Sequence, residues 1–192
     1  MTFEVRFHGR GGQGVVTAAE LLSVAAFSQG LRALAFPSFG SERTGAPVVS
    51  YCRIDDRPIR AHDPVTEPQA VVVQDPTLLH LPGVLDGLTD DGYLLVNSSG
   101  SPETLHLAAL APQLEPRRIV TVAATDLARA ALGRPLPNTA LLGALAGLTG
   151  VVSLTSLQAA IRERFGAAAG DLNAELAERG LVLATGGSRR RA

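Results

Sequence analysis

Lysine is absent from this chain of 192 residues, and all 17 basic residues are arginine. That excludes a Schiff-base lysine and the lysine of a phosphate-binding P-loop. Cysteine occurs once, at Cys52, so no internal disulfide can form and no thiolate set exists for an iron–sulfur cluster. A basic excess is missing too. The net charge is −1 and no basic stripe is interleaved with aromatics, which argues against a nucleic-acid partner. No apolar run reaches membrane-spanning length, and the N-terminus lacks the charged-then-apolar pattern of a signal peptide. The expectation is a cytoplasmic chain with no membrane partner. His8, His62, His80 and His106 have no metal-ligand spacing, so no metal site is expected. No nucleophile elbow or serine–histidine–acid spacing is present. His62 beside Asp63 resembles a base with its orienter, but adjacent side chains rarely point at each other and a structural role fits better.

Apolar residues make up 46% and charged residues 18%, a tilt toward the interior that hints at a surface buried by a partner. The length fits one domain, assigned to residues 1–184. Residues 185–192, with Arg189-Arg190-Arg191, read as a disordered basic tail. Short apolar runs alternate with helical patterns, the signature of stacked βα units. Strands are predicted over 3–8, 31–36, 48–54, 70–74, 93–97 and 119–123. Helices are predicted over 15–29, 77–85, 125–132, 138–148, 154–165 and 170–179. The runs Val71-Val72-Val73 and Leu94-Leu95-Val96 suit central parallel strands, buried on both faces. Residues 48–60 alternate, turn at Asp55-Asp56 and resume at Pro58-Ile59-Arg60, which predicts an antiparallel hairpin on the sheet. The fold class is α/β: one three-layer α/β/α domain with a mostly parallel sheet and that antiparallel hairpin.

Between the first strand and the first helix lies Gly9-Arg10-Gly11-Gly12-Gln13-Gly14. Glycines let the backbone approach a ligand, and the N–H groups of a helical first turn point toward an anion. Gly9, Gly11 and Gly14 match the dinucleotide-binding spacing. That use also needs a carboxylate ending strand two, where this chain has Pro37-Ser38, and Arg32 opens the strand rather than closing it. The alternative is a tight turn that packs helix on strand with no ligand.

A second cluster follows strand two: Phe36-Pro37-Ser38-Phe39-Gly40-Ser41-Glu42-Arg43-Thr44-Gly45-Ala46-Pro47. It belongs at the carboxyl edge where ligands of open α/β sheets bind, and it offers a carboxylate, a guanidinium and two phenylalanines. The alternative is a rigid loop with a solvated ion pair. A third cluster is Arg134-Pro135-Leu136-Pro137-Asn138-Thr139. Asn138 suits a helix N-cap, and its amide could also reach a ligand. Cys52, mid-strand, reads as a small core residue.

In this order the three clusters resemble the gamma subunit of the 2-oxoacid:ferredoxin (acceptor) oxidoreductases, over about residues 3–180. Arg43 is followed by Thr44-Gly45-Ala46-Pro47 rather than Gly-Gly-Thr, which favours the pyruvate type over the 2-oxoglutarate type. The resemblance implies one subunit of an enzyme that oxidatively decarboxylates a 2-oxoacid to acyl-CoA and passes electrons to ferredoxin. Thiamine diphosphate, Mg2+ and the iron–sulfur clusters would belong to alpha and beta subunits, with a delta subunit as a further candidate. This chain would hold no cofactor alone and no catalytic residue, would not be active alone, and would help form the active site and receive coenzyme A (CoA). The residues implied in binding are Arg10, Gly11, Gly12, Gln13, Gly14, Ser38, Glu42, Arg43, Thr44 and Asn138. The phosphates of CoA suit the N–H groups of residues 11–14 and the fork of Arg10 or Arg43. Two other functions remain open: a non-catalytic assembly subunit, and a free-standing nucleotide-binding oxidoreductase.

Overall fold

The computed structural model describes residues 2–38 and 45–189. Six strands form one sheet: β1 (Phe3–Arg10), β2 (Arg32–Pro37), β3 (Pro47–Asp55), β4 (Ala70–Val73), β5 (Tyr93–Asn97) and β6 (Ile119–Val122). Their order is β2-β3-β1-β4-β5-β6. β1, β4, β5 and β6 run parallel, and β3 is antiparallel to both β1 and β2. The chain therefore leaves β1 toward one sheet edge and returns to β4 on its other side, so the topological switch point lies between β1 and β4.

One face carries helices α1 (Val15–Ser28), α3 (Ala124–Leu132), α4 (Asn138–Thr149), α5 (Leu154–Phe165) and α6 (Ala167–Arg189). Alternation along the strands turns Val5, Phe7, Val72 and Leu95 toward them, into the larger of two buried clusters. The other face holds Val71, Val73, Leu94 and Val96, covered by the segment after β4 and before β6. That layer is built of turns and one short helix, α2 (Leu107–Leu110), which the sequence pattern does not announce.

Three expectations change. The antiparallel strand exists, but β3 pairs with β1 and β2, and residues 58–60 form no strand. The Asp55 carboxylate accepts the Arg57 N–H and turns the chain out, and Pro58 brings no N–H to a ladder. The helix predicted over 77–85 is a three-residue 3-10 turn, Pro76–Leu78, started by the Asp75 carboxylate on the Thr77 N–H. Pro82-Gly83 ends any continuation, with Gly83 at φ 85°. The helix predicted over 170–179 is α6, which starts at Ala167 and takes in residues 185–189 of the segment assigned to the tail. Gly170 and Gly180 look like helix ends in sequence but sit inside it. A Cβ on Gly180 would strike the Ala140 carbonyl of α4, and one on Gly143 of α4 would strike the Ala177 carbonyl of α6. The two helices cross backbone against backbone, and glycine is what this closeness requires.

Candidate functional site

β1 ends at Arg10 and α1 begins at Val15, so the glycine loop occupies the carboxyl edge at the switch point. Gly14 sits in the left-handed region at φ 74° and is the N-cap of α1, with no side-chain cap. A Cβ there would lie 2.5 Å from Asn138 Nδ2, so glycine is needed twice over, for its φ and for the approach of α4. The loop is held from within. The Gly11 N–H donates to the Ala46 carbonyl at 2.9 Å and the Gln13 N–H to the Arg10 carbonyl at 3.0 Å. These two N–H groups, expected to face a ligand, are engaged inside the chain. Gly12 and Gly14 N–H have no backbone partner among the described residues.

Asp75, the second residue beyond β4, organises the side chains. Its carboxylate accepts from Arg10 Nε at 2.9 Å, from the Thr77 hydroxyl at 2.6 Å and, more distantly, from Gln13 Nε2 at 3.5 Å. Gln13 Oε1 in turn accepts the Arg10 N–H at 2.7 Å. Burial pushes the Asp75 carboxyl up, but the Thr77 hydroxyl and amide and the Arg10 guanidinium outweigh it and hold it below its ordinary value. Arg10 is also fixed at its other nitrogens, to Thr77 Oγ1 at 2.9 Å and the Gly45 carbonyl at 3.1 Å. Its fork is thus a strut of the loop.

Over this loop opens a cavity of about 990 Å³. Its walls include Arg10, Gly11, Gly12, Gly14 and the first turn of α1; Arg134, Leu136 and Asn138 ahead of and at the start of α4; and Ala168, Ala169, Leu172 and Asn173 of α6. Three helix N-termini thus reach one cavity, and α1, α4 and α6 have no acidic residue in their first turns. Among the described residues no carboxylate lines it, while two arginines do. Both facts favour an anion. Arg134 is exposed and has no side-chain partner among the described residues. Asn138, expected as the N-cap of α4, is instead its first residue, with Pro137 at the cap and no side-chain cap bond. It is 5% exposed, and among the described residues its side chain makes only a 3.5 Å contact from Nδ2 to the Gly14 carbonyl, leaving its own carbonyl oxygen unused. Asn173 is locked, accepting from the Thr139 hydroxyl at 3.0 Å and donating to the Ala169 carbonyl at 2.8 Å.

Of the residues singled out in the sequence, Arg10, Gly11, Gly12, Gly14 and Asn138 come together here. Gln13 points inward to the Asp75 network, and the Ser38 N–H continues the β2–β3 ladder to the Val49 carbonyl at 2.9 Å. Glu42, Arg43 and Thr44 lie outside the described residues. Sequence reasoning missed Asp75, Thr77 and Arg134 as site residues. Asp75 follows the strand adjacent to β1 at the same sheet edge, a signal the edge rule could have supplied. Cys52, in β3 between Val5 and Ala35, is fully buried, and burial pushes its thiol up. Among the described residues no three metal-ligating side chains converge, and no helix is long and apolar enough to cross a membrane.

Edge, loop and cavity define an open α/β domain with its concave site at the switch point. The pyruvate ferredoxin/flavodoxin oxidoreductase family matches residues 4–183. The chain is 50% identical to the pyruvate/ketoisovalerate oxidoreductases common subunit gamma of Thermococcus kodakarensis, over 91% of this chain and 93% of that one. It is 51% identical to the pyruvate synthase subunit PorC of Methanosarcina barkeri, over 83% and 84%. The crystal structure of the pyruvate oxidoreductase subunit PORC of Thermotoga maritima superposes with a TM-score of 0.79 at 37% identity, over 94% of this chain and 95% of that one. The chain belongs to the pyruvate ferredoxin/flavodoxin oxidoreductase family, as a gamma-type subunit.

Proposed function

We propose that this subunit serves a pyruvate-type 2-oxoacid:ferredoxin oxidoreductase in the cytoplasm, where it helps form the active site and receives CoA. In this reading residues 1–184 act as one unit. Alpha and beta subunits, with a delta subunit as a further candidate, hold thiamine diphosphate, Mg2+ and the iron–sulfur clusters, and ferredoxin takes the electrons. A lone, buried cysteine fits a chain that leaves the clusters to its partners. The Thermococcus relative is named as common to pyruvate and ketoisovalerate enzymes, which favours substrate choice outside the gamma chain.

The observation that carries the CoA role is the cavity with three helix N-termini and, among the described residues, two arginines and no carboxylate. A phosphate meets the N–H groups of the first turn of α1 and the unpaired guanidinium of Arg134, while Arg10 stays on Asp75 and shapes the loop. The unused Asn138 carbonyl oxygen accepts an N–H or O–H of the ligand. In the purified complex, Arg134→Gln raises KM for CoA about tenfold, the worth of one charge-assisted hydrogen bond of ~1.5 kcal/mol. Gly12→Leu, at a backbone φ of 94°, raises it further by reshaping the loop. Cluster absorption stays as in the parent complex. An unchanged KM for CoA in both variants overturns the reading.

The assembly-only reading keeps one observation in its favour: the Gly11 and Gln13 N–H groups are engaged within the chain. Under it, both variants loosen the complex and leave KM for CoA alone.

A further inference from the structure

The sheet face turned away from α1 holds a second cavity, of about 230 Å³, lined by Arg6, His8 and Tyr51 and by Leu78, Leu81 and Val84 of the turn layer. Strand alternation and the Arg6↔Tyr51 register bring these three polar side chains to one face. Two buried arginines share that face with different partners. Arg53 donates to the Glu4 carboxylate and lies 3.6 Å from that of Asp63. Arg6, 6% exposed, makes no ion-pair contact with a carboxylate among the described residues, and the Asp86 carboxylate acts on it only from farther off. Its guanidinium donates to the main-chain carbonyls of Val65, Val84 and Asp86 at 3.2, 3.1 and 2.5 Å, and its Nε has no partner. Beside it His8, 5% exposed, leaves Nε2 unpartnered. Burial first, and the charge of Arg6 second, press the imidazole down to about 3, so the ring is neutral near pH 7. Buried charges are ordinarily paired and buried nitrogens bonded. Among the described residues this cavity therefore has a cation and an idle imidazole and no carboxylate in its lining.

We propose that the cavity is a site for a small carboxylate, which takes the Arg6 Nε–H, the His8 imidazole and the Tyr51 hydroxyl as its partners. Its volume is below the roughly 300–1,000 Å³ of ordinary ligand pockets, so the occupant has few heavy atoms. A single guanidinium matches a monoanion; a phosphate dianion would want a second cation, and no other lines the cavity among the described residues. The carboxylate is either a free small acid or the side chain of an aspartate or glutamate on a partner subunit.

The test is NMR of the full chain, isotope-labelled at histidine, titrated with acetate in exchange for chloride at constant ionic strength. The His8 ring signals shift saturably in the millimolar range, while exposed His62, His80 and His106 do not. Acetamide, uncharged and of similar shape, produces no such shift. Tyr51→Phe weakens acetate about threefold or more, and His8→Phe, followed by the Arg6 guanidinium signals, weakens it at least tenfold. If the response persists in the assembled complex, the ligand is a free acid. If it is present in the chain and lost in the complex, a partner's carboxylate fills the site. No saturable response in the full chain, or an equal response to acetamide, overturns the proposal.

Discussion

On the helical face of the sheet, Val5, Phe7, Val72 and Leu95 meet the helices through apolar side chains. On the opposite face of the same central strands, Arg6, His8 and Tyr51 meet turns. The difference follows from what each layer does with its own backbone. Helices satisfy their N–H and C=O groups internally and can offer a purely apolar surface. Turns leave carbonyls pointing at the sheet, and each needs a donor. Arg6 supplies it to three of them, from Val65, Val84 and Asp86. The polar character of one side of β1 is thus the counterpart of an irregular covering layer.

The helical face is the more sensitive of the two to a single added side chain. Gly180→Val drives a branched side chain into the Ala140 carbonyl and costs at least about 3 kcal/mol by urea denaturation. A loss under 1 kcal/mol would mean that α4 and α6 can part without penalty.

On the turn side, the effect of His8→Phe is set by pH, small near neutrality and growing on acidification. The folded-state pKa of about 3 lies below the ordinary 6.5, so between those values the unfolded chain binds more protons. Wild-type stability therefore falls as pH drops through that window, by up to about 1.4 kcal/mol per pH unit. His8→Phe loses this slope. Near pH 8 it changes stability little, since the nitrogen it removes has no partner. Parallel pH profiles for the two proteins would refute the assignment.

Asp75→Asn costs ~1 kcal/mol at pH 7, by weakening the bonds to Thr77 and Arg10. The Asp75 pKa is held below its ordinary value of 3.8, so its contribution is full above that value and lost as pH falls through the folded-state pKa. The gap between variant and parent closes on acidification; a gap that persisted at low pH would assign the effect to packing.

Strands and most helices were legible in the sequence because burial imposes a local period. Val71-Val72-Val73, apolar on both faces, is a central strand, and the helix predicted over 154–165 is α5, Leu154–Phe165. Elements set by distant contacts were not. Gly180 reads as a helix end until Ala140 is seen against it, and the partners of β3 depend on strands before it in the chain. At the site, the glycine loop was legible as a turn, whereas Asn138 reads as an N-cap in sequence but sits one residue inside α4, where the approach of Gly14 rather than capping occupies its amide. Asp75 was not legible, because its role comes from side chains 65 and 62 positions earlier in the chain. Nor does Arg134 stand out in its cluster, because an exposed arginine matters to a site only once a cavity lies beside it.

Cys52 lies at the middle of β3. Its thiol is sealed at the centre of β3, hydrogen-bonded strands on both sides, with no other cysteine to react with. In the folded chain it is shielded from oxidants and alkylating reagents alike. Its modification then keeps time: each labelled molecule records one parting of β3 from its neighbours, a native clock for how often this subunit opens.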